Sequence, residues 1–153
     1  MYQRILVPVD GSPTSNAGLQ EAIGLAKLTG GRIRVLHVVD DLPFVMAAEG
    51  YGAIGADVLG LLTDAGRQII SQAQDRVQQA GVPVDAALFD SLDGRLCDRV
   101  VEQIAEWKAD IVVLGTHGRR GMRRLVLGSD AEQVLRASPV PVLLVHGDEV
   151  RSG

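Results

Sequence analysis

Five short apolar segments, separated by segments with helical periodicity, constrain the fold of this chain more than any other feature. The apolar segments cover residues 5–9, 33–39, 82–89, 111–114 and 140–145, and four of them are almost unbroken runs of Val, Ile and Leu. Unbroken apolar runs are typical of strands covered on both faces, as in a parallel sheet. The alternation predicts an α/β, doubly wound, Rossmann-like fold with five parallel strands and helices on both faces.

The segments between the apolar runs carry the end signals of helices. Ser12 followed by Pro13 predicts the start of the first helix, because serine caps helix N-termini and proline suits the first helical position. Gly30 and Gly81 predict the ends of the first and second helices, since glycine adopts the left-handed conformation that closes a helix. Residues 40–56 fit neither period and are predicted to form a long surface excursion.

The strand order is expected to be the flavodoxin-type 3-2-1-4-5, with the third and fifth strands at the edges. Pro83 and Pro141 lie in those two segments only, and proline is tolerated mainly on edge strands or at strand starts. The fifth segment is very apolar for an edge, and an exposed apolar edge invites pairing with another chain. We therefore predict a homodimer that pairs or packs through residues 140–145.

Length and composition exclude several classes of protein. The 153 residues predict a single domain over residues 1–153, and 46% hydrophobic residues exclude a wholly disordered chain. The lone cysteine, Cys97, excludes an intramolecular disulfide and agrees with a reducing compartment. A net charge of −4 gives no basic field for nucleic acid or an anionic membrane. With no secretory leader and no apolar stretch near the roughly 18 residues of a membrane span, we expect a cytoplasmic protein.

A glycine-rich segment, residues 115–129, joins the end of the fourth strand to the last helix and carries four arginines and no acidic residue. Glycines let a backbone approach a ligand closely, and the first N–H groups of a helix favour an anion. These features indicate phosphate recognition. A second interpretation stays open, because Ser129 and Glu132 also match an ordinary capping box and loop arginines are usually solvated.

Asp10 ends the first strand and is expected to lie across the sheet crevice from the turn at residues 115–118. A carboxylate there can accept hydrogen bonds from ribose hydroxyls, or it can stabilise the turn at Gly11 and Ser12. Neither a nucleophile elbow nor a general base is evident, and metal-ligand spacing is absent from the three histidines, which are His37, His117 and His146.

Several stretches together resemble the universal stress protein family. They are ILVPVDGS at the start, VLHVV, the spacing Gly115-x2-Gly118-x9-Gly128-Ser129, and ASPVPVLLV after it. The resemblance covers essentially the whole chain, and the glycine spacing resembles the ATP-binding branch of the family. It implies a Rossmann-like five-stranded sheet, a dimer through the last strand and ATP bound at the crevice.

The resemblance also implies which residues contact ATP. Asp10 would contact the ribose, Val38 would meet the adenine through its backbone, and Pro8 would line the pocket. The ribose and phosphates would be bordered by Gly115, His117, Gly118 and Arg119. The β and γ phosphates would be received by Gly128, Ser129 and Asp130. Mg²⁺ or Mn²⁺ would serve as the counterion of the phosphates.

Asp130 departs from the family pattern, which commonly has a valine after the Gly-Ser pair. Its carboxylate competes with a triphosphate for the same helix N-terminus, which predicts weaker ATP binding or a stronger dependence on metal. The resemblance implies an ATP-binding regulatory or stress-response module with little or no turnover. The alternatives are a weak metal-dependent ATPase or nucleotide hydrolase, which the missing general base disfavours, and a nucleotide-free dimeric interaction protein.

Overall fold

Strands and helices alternate along the chain in the predicted order. The computed structural model describes residues 1–39, 54–90, 94–116 and 127–147. The strands are β1 (Arg4–Pro8), β2 (Arg32–Val39), β3 (Val84–Asp90), β4 (Ile111–Thr116) and β5 (Val142–His146). The helices are α1 (Pro13–Thr29), α2 (Ile54–Gln79), α3 (Leu96–Trp107) and α4 (Ser129–Ala137).

The five strands form one parallel sheet in the order β3-β2-β1-β4-β5, which confirms the predicted topology. Pro83 and Pro141 each lie immediately before an edge strand, where a missing N–H is best tolerated. β1 is central, and Leu6 of β1 is in register with Arg34 of β2 and Val112 of β4.

Two helical layers cover the sheet. α1 and α2 pack on one face in a core that includes Ile5, Leu19 and Val77, while α3 and α4 pack on the other in a core that includes Leu6 and Val134. Consecutive β1 residues thus enter different cores, and Ile5 and Leu6 are both completely buried. This explains why the strand sequences are unbroken apolar runs rather than alternating ones.

The predicted helix ends agree with the structure. Ser12 caps α1, its hydroxyl accepting a hydrogen bond from the Ser15 N–H at 3.2 Å, and Pro13 is the first helical residue. Gly30 closes α1 at a φ of 68°, and Gly81 follows α2 at a φ of 77°. Both angles belong to the left-handed region that glycine adopts without strain.

One predicted boundary is wrong. The excursion at residues 40–56 ends sooner, because α2 begins at Ile54; residues 40–53 lie outside the described residues. Gly55 and Gly60 both fall within this helix and lower its intrinsic propensity, which concealed its first turns in the sequence. The packing of the rest of α2 on the core outweighs that local preference.

The first turn of α1 lies directly against the end of β4. A Cβ atom on Gly115 would be 2.1 Å from the carbonyl oxygen of Thr14, and one on Gly18 would be 2.9 Å from the Gly115 nitrogen. Only glycines permit such a close approach between a helix and a strand. The contact brings the turn between β1 and α1 beside the end of β4.

Candidate functional site: a cleft at the carboxyl edge of the sheet

A cleft of about 420 Å³ opens where β1, β2 and β4 end and where α1, α3 and α4 begin. Its volume falls within the usual range for small-molecule sites, roughly 300–1,000 Å³. The chain leaves β1 toward one helical layer and β4 toward the other, so the cleft lies at the switch point of the sheet. Its lining residues are Pro8, Val9, Asp10, Ser12, Ser15, His37, Val38, Gly94, Arg95, Leu96, Leu114, Gly115, Asp130 and Ala131.

The structure brings together half of the residues that the sequence singles out. The ones that line the cleft are Pro8, Asp10, Val38, Gly115 and Asp130. Gly128 and Ser129 immediately precede Asp130, as the cap and first residue of α4, and are not part of the cleft wall. Three positions lie outside the described residues, namely His117, Gly118 and Arg119.

Asp10 stabilises the turn after β1 and also lines the cleft. Its Oδ1 accepts a hydrogen bond from the Ser12 N–H at 2.9 Å, and its own N–H donates to the Ser15 hydroxyl at 3.0 Å. The turn interpretation of Asp10 is therefore confirmed. The same bonds fix the carboxylate where a sugar hydroxyl in the cleft could donate to it.

Helix α4 begins in a way that favours an anion. Gly128 is the N-cap and offers no side-chain acceptor, so the capping box expected with Ser129 as cap is wrong. Glu132, the expected partner in that box, instead pairs with Arg136 at 2.8 Å. In the part of the chain that the structure describes, no side chain caps the first-turn N–H groups of α4, and Asp130 and Ala131 lie in the cleft wall.

His37 belongs to the wall, which the sequence did not predict. Its Nδ1–H donates to the Val9 carbonyl at 2.7 Å, which fixes the ring orientation. Gly66 of α2 packs behind it, since a Cβ there would be 2.9 Å from Val39 and 3.1 Å from the His37 ring. The sequence carries no periodic or motif signal for this role, because the contact joins two strand ends and a helix.

The start of α3 contributes three further unpredicted residues, Gly94, Arg95 and Leu96. Arg95 is the N-cap of α3, and its backbone N–H donates to the Asp98 carboxylate at 3.1 Å. The only available sequence signal was position, because these residues precede the third helical pattern and follow the third strand. They form the wall on the α3 side of the cleft.

The described residues support neither a reactive cysteine nor a protein-bound metal centre at this cleft. Burial raises the pKa of the Cys97 thiol above its ordinary value, and the nearby Asp98 and Asp130 carboxylates raise it further. The thiol therefore stays protonated at neutral pH, and it contacts the Gln133 carbonyl at 3.4 Å. Within the described residues no cluster of three or more His, Cys, Asp or Glu side chains could hold a metal ion.

The fold and the cleft define a doubly wound α/β protein with a cleft at the switch point of its sheet, where proteins of this class bind ligands. Among the helices of the described ranges, none combines the length and apolarity that crossing a lipid bilayer requires.

The family model of the universal stress protein family matches residues 1–146, and the chain belongs to that family. It is 33% identical to universal stress protein MJ0531 of Methanocaldococcus jannaschii, over 95% of this chain and 82% of that protein. The solved structure of hypothetical protein MJ0577 is similar at 25% identity and a TM-score of 0.78, covering 95% of this chain and 96% of that one. A universal stress protein solved in complex with cAMP shares the fold at 24% identity and a TM-score of 0.63, covering 95% and 98%.

Proposed function

We propose that this chain binds an adenine nucleotide, in particular ATP, in the cleft. It acts as a nucleotide-dependent regulatory or stress-response module in the cytoplasm and hydrolyses ATP slowly or not at all. The observation that carries the proposal is the cleft itself. It combines apolar walls at Pro8, Val38 and Leu114, the Asp10 carboxylate and the uncapped start of α4. A nucleotide needs these three surfaces for its base, its ribose and its phosphates.

In this proposal the base lies at Pro8 and Val38, and the ribose lies at Asp10. The phosphates extend from Gly115 toward the start of α4, at Gly128, Ser129 and Asp130. As the family resemblance implies, His117, Gly118 and Arg119 would border the ribose and the phosphates together with Gly115. A universal stress protein of the same fold was solved in complex with cAMP, an adenosine phosphate, which supports a nucleotide site in this fold. The assignment of residues rests on this chain's own cleft and family membership.

A divalent cation fits the cleft only together with the phosphates. Asp10 and Asp130 are the carboxylates of the described lining, and they do not belong to a group of three or more potential metal ligands there. Mg²⁺ ordinarily keeps several waters and binds through one or two carboxylates plus substrate phosphates. We therefore propose that Mg²⁺ or Mn²⁺ enters with ATP as the counterion of its phosphates.

Identification of the nucleotide that the purified protein carries tests this proposal. The protein is denatured, the released nucleotide is identified, and ATP turnover is then followed over hours. We expect intact ATP and a melting temperature that rises when ATP is added. Accumulation of ADP or AMP would instead favour a slow hydrolase, and no nucleotide together with no thermal shift would favour a nucleotide-free interaction protein.

Replacement of Asp130 is expected to tighten ATP binding. Asp130 is the second residue of α4 and lines the cleft, so its carboxylate repels phosphates at the same helix N-terminus. An interaction of about 1 kcal/mol, typical for exposed charges about 4 Å apart, corresponds to roughly fivefold. We expect Asp130→Val to lower the Kd for ATP about fivefold without Mg²⁺ and less with Mg²⁺.

The matched control for Asp130 is Glu132→Val, which removes a carboxylate from the same helical turn but outside the cleft wall. Isothermal titration with and without Mg²⁺ gives both affinities for each variant. Equal Kd values for the native chain and Asp130→Val under both conditions would contradict the role assigned to this carboxylate.

We also propose a homodimer through residues 140–145. β5 is an edge strand, and Leu143 on it remains 40% exposed. Leu143→Asp is expected to give a monomer, because a charge at the centre of an apolar contact is costly to bury. Light scattering at tens of micromolar measures the mass. Leu28→Asp on α1, where Leu28 is 87% exposed, is the control that should remain dimeric, and a monomeric native chain would overturn the proposal.

A further inference from the structure

Arg95 supplies a cation to the cleft wall, and its side chain has no partner among the described residues. Its guanidinium forms no hydrogen bond or ion pair with any of the described residues, although its backbone N–H bonds Asp98. The other charged groups of the described lining are the carboxylates of Asp10 and Asp130. Arg95 is exposed and lines the cleft, so its guanidinium is available to a ligand.

The packing of the residues after Arg95 on α3 indicates which end of the cleft it is nearer to. Arg99 follows one helical turn later, and its guanidinium lies over the Phe89 ring of β3 at 5.4 Å. Phe89 is in turn the register partner of Val38 on β2. Cys97, on another side of α3, contacts Gln133 of α4. From these contacts we infer that Arg95, which precedes Arg99 by four residues, lies nearer to Val38 than to the start of α4.

The backbone next to Arg95 is constrained by the packing of Gly94 on Arg99. Arg99 is largely buried and its guanidinium pairs with Glu102 at 2.5 Å. Gly94 packs on that guanidinium, since a Cβ at Gly94 would be 3.1 Å from Arg99 Nη2, and its φ of 140° suits only glycine among common residues. The backbone before Arg95 is thus constrained at Gly94, while the Arg95 side chain itself is exposed.

We propose that Arg95 is a nucleotide-contacting residue that covers the face of the purine base. This inference rests on the proposed function, in which the base lies at Val38. A planar guanidinium stacks on aromatic faces and is attracted by their π-electrons. The site then binds the base between the apolar strand ends and Arg95, and it favours the larger face of a purine over a pyrimidine.

Binding of adenosine, AMP and ATP to Arg95→Ala tests the proposal. Loss of a stacking contact is expected to raise the Kd about tenfold, the equivalent of about 1.4 kcal/mol. The factor should be the same for all three ligands and should persist in high salt, because the contact involves the base rather than the phosphates. The Kd for CTP should change less than that for ATP.

Two further variants make the result specific. Arg95→Lys retains the charge but not the planar face, so it should recover at most a small part of adenosine binding. Arg32→Ala removes an exposed arginine at the start of β2, far from the cleft, and should bind like the native chain. A loss that grows from adenosine to ATP and is recovered by lysine would assign Arg95 to the phosphates and overturn the proposal.

The failures of the two proposals can be told apart. If the native chain binds ATP and Arg95→Ala binds it equally well, the role of Arg95 is wrong and the nucleotide site remains. If the native chain binds none of the three ligands, the proposed function is wrong and the role of Arg95 is overturned with it.

Discussion

Gly115→Ala is expected to destabilise the protein by at least about 3 kcal/mol and to abolish ATP binding. The new methyl group would lie 2.1 Å from the Thr14 carbonyl oxygen and 2.8 Å from the Ser15 nitrogen, both backbone atoms that no rotamer change can move. α1 must then separate from β4, and the turn at Asp10 moves with it. Circular dichroism should show a melting temperature about 10 °C lower.

The matched control is Gly24→Ala, the same chemical change on an exposed position of α1 where a Cβ would have no atom within 4 Å. It is expected to leave binding unchanged and to stabilise the helix by up to about 1 kcal/mol. Equal melting temperatures for Gly115→Ala and the native chain would show that α1 and β4 do not approach this closely in solution.

Asp10→Ala is expected to weaken ATP binding about 10- to 100-fold, since hydrogen bonds to charged groups contribute about 1.5–3 kcal/mol. Alanine also removes the acceptor of the Ser12 N–H, so the turn loses a bond of 2.9 Å. Asp10→Asn keeps an oxygen for that bond and removes only the charge. It should lose about tenfold in affinity, because charge-assisted hydrogen bonds are roughly twice as strong as neutral ones.

A double-mutant cycle with deoxynucleotides isolates the ribose contact of Asp10. The native chain should bind ATP more tightly than 2′-deoxy-ATP or 3′-deoxy-ATP, whichever lacks the donating hydroxyl. Asp10→Ala should bind ATP and that deoxynucleotide with equal affinity, because the contact with the hydroxyl is already absent. Discrimination of the same size in Asp10→Ala would place the sugar elsewhere and leave Asp10 as a turn residue alone.

The sequence predicted the fold because its strands are buried on both faces. Adjacent residues such as Ile5 and Leu6 enter separate cores, and this produces unbroken apolar runs that only a covered parallel sheet needs. Pro83 and Pro141 then distinguished edge strands from central ones. The start of α2 was not predicted because Gly55 has a low helix propensity. Packing of the rest of this long helix stabilises it by more than the glycine destabilises it.

Prediction of the site was more limited, for a geometric reason. Asp10 and Gly115 could be placed at strand ends, and strand ends of a known order converge. The positions of Arg95 and His37 could not be predicted. Arg95 lies at the start of α3, which packs on β3 through the contact of Arg99 with Phe89. The His37 ring packs against Gly66 of α2. Such contacts depend on helix packing, which has no periodic trace in the sequence.

Gly115 also shows how one residue type can satisfy two requirements. The sequence suggests that its missing side chain admits a ligand, and it does line the cleft. The side where a Cβ would project, however, is occupied by Thr14 and Ser15. The glycine is therefore required first by the packing of α1 on β4, and that packing in turn shapes the cleft.

Nuclear magnetic resonance of the ¹⁵N-labelled protein during an ATP titration tests the nucleotide site most directly. We expect the amide signals of Val38, Gly115 and Asp130 to shift in a saturable manner, because they surround the cleft. The amides of Arg32 and Ala109, at the opposite edge of the sheet, should remain in place. Unchanged spectra at millimolar ATP, or shifts confined to residues away from the carboxyl edge, would contradict nucleotide binding in this cleft.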